Sequence, residues 1–119
     1  MDRVRKFNNE IINMNWTKDE LIAYILLYAA NSDYNESNLE RNVIISKVDM
    51  ETFSKIHTEF DDDNDYQSIQ KIQQGLEKHQ YSVEDMDALF ADIKTLFYAD
   101  GDFDVLEQNM MLYLKKILS

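Results

Sequence analysis

A chain of 119 residues is the length of one folding unit, and 45% hydrophobic with 12% aromatic residues supplies a core, which excludes a disordered chain. The absence of proline, with Gly75 and Gly101 the only glycines, argues against a β-sandwich or barrel, and the absence of cysteine excludes disulfides, thiolate-bound metals and a thiol nucleophile. A formal charge of −11, from 12 Lys and Arg against 23 Asp and Glu, disfavours nucleic acid and favours cations or a protein with a basic surface as partners.

The hydrophobic spacing is helical nearly everywhere and predicts seven helices. Val4, Phe7, Ile11 and Met14 step by three and four, giving a first amphipathic helix within residues 1–16 that packs on the rest. Its Arg3, Arg5 and Lys6 also suit an acidic membrane or partner, but Phe7-Asn8-Asn9-Glu10 follows where a signal peptide needs an apolar stretch. Thr17-Lys18-Asp19-Glu20 reads as a capping box, with Trp16 and Leu21 placed as a hydrophobic staple. The helix it opens is apolar on most sides, from Leu21 to Ala30, and is expected to be central and buried. That run is half of what a membrane span needs, so a soluble cytoplasmic protein without a membrane span is expected.

Asn35 is the expected cap of the third helix, stapled by Tyr34 and Leu39 and running through Val43, Ile44 and Lys47. Asp49 caps a fourth with Met50, Phe53, Ile56 and Phe60 on one stripe. The run Asp61-Asp62-Asp63-Asn64-Asp65 ends that stripe and caps a fifth, carrying Tyr66, Ile69, Ile72 and Leu76, in which Gly75 reads as a mild weakening. Ser82-Val83-Glu84-Asp85 opens a sixth helix with Met86, Leu89, Phe90, Ile93, Leu96 and Phe97. Asp104-Val105-Leu106-Glu107 opens the last, through Met110, Tyr113, Leu114, Ile117 and Leu118. No connection is long enough to divide domains.

The chain also repeats itself. Ala30-Asn31-Ser32-Asp33-Tyr34-Asn35 aligns with Ala99-Asp100-Gly101-Asp102-Phe103-Asp104; each ends an apolar helix and carries an aromatic residue before an N-cap. A duplicated helical hairpin is the expectation. The second copy, followed by Glu107, resembles the Ala-Asp-Gly-acidic-apolar-Ser/Asp-x-x-Glu signature of the tellurite-resistance TerB-like family. Leu96-Phe97-Tyr98 before it and Met110 to Leu114 after it resemble that family's flanking helices. The first copy departs from the signature: Asn31 replaces Asp, Ser32 replaces Gly, and Asn38 stands where Glu is usual. The resemblance covers residues 17–118 and implies an all-α TerB-like domain over 17–119 with two pseudo-repeated hairpins, which with the helix of residues 1–16 packed on it makes a single seven-helix bundle. It also implies a cytoplasmic stress-response module of undefined biochemical role that binds a divalent metal.

Two readings of that acidic loop stand side by side. Asp100, Asp102, Asp104 and Glu107 can offer oxygen ligands to a divalent cation such as Ca²⁺, Mg²⁺ or Zn²⁺, helped by Asp33 and Asn35 of the first copy. Helix capping explains most of the same spacing: Gly101 turns the chain, and Asp104 and Glu107 suit the N-terminus of the next helix. An EF-hand fails on position, since Met111 stands where the bidentate Glu belongs and Val105 where the glycine belongs. Counted from Asp61, the same places fall on Tyr66 and Ile72, so the 61–65 run reads as a solvated acidic loop; a weak cation site or a strip for a basic partner is the alternative.

His57 borders the Phe53–Ile56–Phe60 stripe and reads as a packing residue, and His79 sits in a last turn, where its charge suits the helix dipole. Neither has zinc-site spacing. Met110 and Met111 read as core filler, with a plastic protein-binding groove as the alternative. No nucleophile elbow, triad or phosphate loop is present, so a non-enzymatic role is expected. Two functions remain from the sequence: a divalent-cation module at the acidic loop, and an acidic interaction module that needs no metal.

Overall fold

The computed structural model describes residues 16–31, 37–100 and 105–118, with the side chains of 100, 105–107, 117 and 118 outside that description. The described residues form six α-helices and a 3₁₀ turn, with no strand among them. The helices are α1 (Lys18–Ala30), α2 (Asn38–Lys47), α3 (Met50–Asp62), α4 (Asp65–Lys78), α5 (Val83–Phe97) and α6 (Val105–Leu118), and the 3₁₀ turn Tyr98–Asp100 follows α5. The helix expected within residues 1–16 lies outside the described residues, apart from Trp16.

Short polar side chains set where these helices begin. At α1 the Glu20 amide donates to Thr17 Oγ1 (3.1 Å) and the Thr17 amide to Glu20 Oε1 (2.9 Å), the reciprocal pair the sequence predicts. Ser82 and Asp85 repeat it at α5, and Asp49 accepts the Thr52 amide at α3. Within the acidic run it is Asn64 that caps α4, exchanging bonds with Gln67. Helix α2 departs from expectation. Its cap is Ser37, whose hydroxyl accepts the Glu40 amide (3.0 Å) while Glu40 answers the Ser37 amide (3.1 Å). A serine followed three residues later by glutamate satisfies two orphan amides, which Asn35 with Asn38 cannot do.

Helix α1 is the axis of the fold and contacts α2, α3, α4 and α5. Leu21, Ala23, Tyr24, Ile25, Leu26, Leu27 and Ala29 are fully buried, so α1 has almost no solvent face, as its apolar run implies. Ile44, Ile56, Ile72, Ile93, Leu96, Phe97 and Leu114 close over it from the other helices. Burial of each such side chain contributes about 1.5–3 kcal/mol. The consecutive pairs α1–α2 and α5–α6 are each in contact, as a hairpin at either end of the chain requires. Met111 is buried and Met110 packs against the core, which is the filling role read from the sequence.

Gly75 is more than a weak point in α4. A Cβ there would lie 2.5 Å from Cδ1 of Leu21, which is itself fully buried, so glycine is what lets α4 approach α1. The end of α4 has the opposite problem. The Tyr81 amide donates to Leu76 O and the Gln80 amide to Glu77 O, both at 3.1 Å, a Schellman closure with Gln80 in the left-handed region at φ 53°. Glycine is the residue such a position favours. Gln80→Gly is therefore expected to stabilise the protein by about 1 kcal/mol. Gly75→Ala, despite its better helix propensity, should cost about 1 kcal/mol net through overpacking against Leu21. Denaturant unfolding of the two variants checks both signs, and a stabilised Gly75→Ala protein would show that Leu21 has room to move.

Candidate functional site

Asp33, Asn35, Asp102 and Asp104 lie outside the described residues. The backbone of Asp100 ends the 3₁₀ turn and that of Glu107 lies in the first turn of α6, with both side chains outside the description. Asn31, at the motif's Asp position, closes α1: its amide donates to Leu27 O (3.1 Å) and so does Nδ2 (2.9 Å).

What the structure does assemble is a polar network where α3 meets α4. Tyr24 and Tyr28 lie on the buried α1, so their hydroxyls need partners inside the protein. Tyr24 donates to Asp63 Oδ2 (2.6 Å) and lies 2.9 Å from Ser68 Oγ. Tyr28 donates to Asp65 Oδ1 (2.8 Å). The Lys71 ammonium reaches back from α4 to bridge Glu59 Oε2 and Asp63 Oδ2, each at 2.8 Å. Glu59 Oε1 in turn accepts from Trp16 Nε1 (3.2 Å). The carboxylate of Asp63 is only 9% exposed. The 61–65 run is thus not simply a solvated loop: Asp61, Asp62 and Asp65 are exposed, whereas Asp63 is drawn inward.

Burial is the main reason that the phenols of Tyr24 and Tyr28 hold their protons far beyond the usual tyrosine range, and the carboxylates they donate to add to it. Burial alone would lower the Lys71 pKa, but its bonds to Asp63 and Glu59 outweigh that and hold it above the ordinary lysine value. At Glu20 burial is likewise outweighed, by the Lys55 ammonium at 2.7 Å and the Thr17 amide, so its carboxyl titrates below the usual range.

Beside this network opens a cleft of about 340 Å³, lined by Tyr28 and Asn31 of the α1 end, Phe60, the joint residues Asp63, Asn64 and Asp65, Ser68, and Met110 of α6. That volume falls within the range of small-ligand sites. Among the described residues Asp63 Oδ1 and Asp65 Oδ2 accept no hydrogen bond. Two half-used carboxylates therefore border one cavity. A smaller cavity of about 220 Å³ between α1 and α5 offers less: Asp92 is paired with Lys47 (3.2 Å) and Asp85 closes the α5 capping box.

No group of three or more His, Asp or Glu suited to hold a metal occurs among the described residues. His57 stands edge-on to Phe53 at 5.4 Å between ring centroids and pairs with Asp61 (3.1 Å), the packing role expected. His79 caps α4, and its Nε2–H donates to the Trp16 carbonyl (2.9 Å), tying that helix end to the start of the fold rather than only meeting its dipole. Sequence reasoning missed Tyr24, Tyr28, Ser68 and Lys71. The available signal was two tyrosines in an otherwise apolar, buried helix, since buried phenols require acceptors. No described helix is long and apolar enough to cross a membrane. Compared with known proteins, the chain matches no family model, no curated protein and no solved structure.

Two outcomes check the network. Lys71→Met leaves Asp63 without its cation and should cost about 2 kcal/mol near neutral pH, a loss reduced from that of a fully buried pair by partial exposure. Phenols whose folded pKa is raised contribute stability that is complete below the unfolded value of 10.0 and is lost as pH rises through and beyond it. Unfolding measured from pH 8 to 11 should therefore show an alkaline decline that Tyr24→Phe and Tyr28→Phe each flatten.

Proposed function

We propose that the chain is a cytoplasmic, TerB-like helical module that acts by binding and not by catalysis, and that it receives a basic group of a partner protein at the α3–α4 cleft. The observation that supports this most is the pair Asp63 and Asp65: the interior tyrosines fix their positions, and among the described residues each has one oxygen that accepts no hydrogen bond. One ammonium, Lys71, stands against three carboxylates, Glu59, Asp63 and Asp65, and the chain as a whole carries −11. A positive group is the ligand this field attracts. Trp16, the only tryptophan and bonded to Glu59, supplies the reporter. Its fluorescence should respond saturably to a peptide rich in Lys and Arg and not to an acidic peptide of the same length. The affinity should fall as salt screens the pairing. Binding of the basic peptide that ignores ionic strength would overturn the reading.

The Asp100-Gly101-Asp102 spacing favours a second reading, a divalent cation held by Asp100, Asp102, Asp104 and Glu107 with Asp33 and Asn35, in a stress response. A cation present at a hundred times its dissociation constant adds about 2.7 kcal/mol to stability, or several degrees of melting temperature in a domain of this size. Asp102→Asn should abolish that rise while Asp104→Asn retains the helix cap. Melting that ignores Ca²⁺, Mg²⁺ and Zn²⁺ alike would end this reading and leave the cleft standing alone.

A further inference from the structure

Resting on the reading of the α3–α4 cleft as the binding site, we propose that its occupant is a primary ammonium on an alkyl stem, a lysine side chain of the partner, held between Asp63 Oδ1 and Asp65 Oδ2. The chain already builds this arrangement once. On the other side of Asp63, the Lys71 ammonium of α4 sits between two carboxylates at the end of α3, 2.8 Å from Glu59 Oε2 and 2.8 Å from Asp63 Oδ2 of its C-cap. The cleft brings a second pair of carboxylates, Asp63 and Asp65, into one lining, with no cation paired to Asp65 among the described residues. Asp63 is the shared member: its side chain is nine-tenths buried and lines the cavity, and among the described residues its Oδ1 accepts no hydrogen bond.

The geometry also discriminates among cations. A guanidinium is planar and pairs best with both oxygens of one carboxylate. Here the Tyr24 and Tyr28 hydroxyls have each taken one oxygen, leaving single oxygens on two separate carboxylates. Such a pattern suits a compact charge with three rotatable donors, which is an ammonium. A hard divalent cation wants six to eight oxygens, with more negative charge than two half-used carboxylates provide. The remaining lining fits a stem: the Phe60 ring, the Met110 thioether and the Tyr28 ring present apolar surface, and Ser68 and Asn64 can take the remaining ammonium protons.

The test is a ¹H–¹⁵N titration of the full chain with three probes: Nα-acetyl-lysine amide, Nα-acetyl-arginine amide, and the uncharged Nα-acetyl-norleucine amide. The lysine probe should shift the amides of Asn64, Asp65 and Ser68 saturably, the arginine probe should bind several-fold more weakly, and the norleucine probe should leave them in place. Asp65→Asn should weaken the lysine probe about tenfold. The exposed Asp62→Asn, outside the cavity lining, should leave it within about twofold, as a distant surface charge would. Tyr28→Phe releases Asp65 Oδ1 and should move preference toward arginine. If the arginine probe binds as tightly as lysine to the wild type, if Asp65→Asn binds lysine unchanged, or if Tyr28→Phe leaves the preference where it was, the lysine assignment is overturned while the basic-partner reading stands. If no charged probe gives saturable shifts at those amides, both fall together.

Discussion

A helix with almost no solvent face cannot hide two hydroxyl groups without giving them acceptors, and the rest of this structure follows from that constraint. Tyr24 and Tyr28 sit on α1, which every neighbouring helix from α2 to α5 touches. An unpaired phenol in that setting costs roughly 1–3 kcal/mol. The acceptors come from the α3–α4 joint, where Asp63 and Asp65 bend the acidic run back onto α1. Bringing a carboxylate inward then requires a countercharge, and Lys71, two turns into α4, supplies it to Asp63 and Glu59 at once. Trp16 and His79 complete the tie between the chain before α1 and the α3–α4 pair. Hydrophobic burial thus places α1, and the polar remainder of α1 places the carboxylates.

Local chemistry was readable because it is encoded within one turn. Thr17 with Glu20, Ser82 with Asp85, and Asp49 all start helices where their side chains predict, since a cap and its amide are three residues apart. The difference at α2 is of the same short range: Asn35 between Tyr34 and Leu39 reads as a stapled cap, yet the Ser37–Glu40 pair satisfies two amides. The central burial of α1 was readable for a different reason, the lack of any polar stripe from Leu21 to Ala30.

Interactions between distant segments left no such trace. Nothing near Gly75 in sequence announces Leu21, and without that contact a helical glycine reads as a mere loss of propensity. The acidic run illustrates the same limit with more consequence. Five polar residues between two amphipathic stripes look solvated, and three of the four aspartates are exposed. Asp63 differs only because Tyr24 and Lys71 converge on it from other helices, a fact that no periodicity contains. The sequence motif concentrates its carboxylates at Asp100, Asp102, Asp104 and Glu107, whereas the described geometry gathers its acceptors around Asp63 and Asp65.

The cleft joins parts of the chain that are far apart in sequence. Asn31 closes α1, Asp63, Asn64 and Asp65 form the joint between α3 and α4, and Met110 lies on the second turn of α6. Such a lining exists only once the buried α1 has drawn those elements together, so whatever occupies the cleft stabilises the folded chain by mass action. The constraint that places the carboxylates therefore also links occupancy of the cleft to the packing around α1: a change that loosens Tyr24 or Tyr28 weakens the fold and the site together.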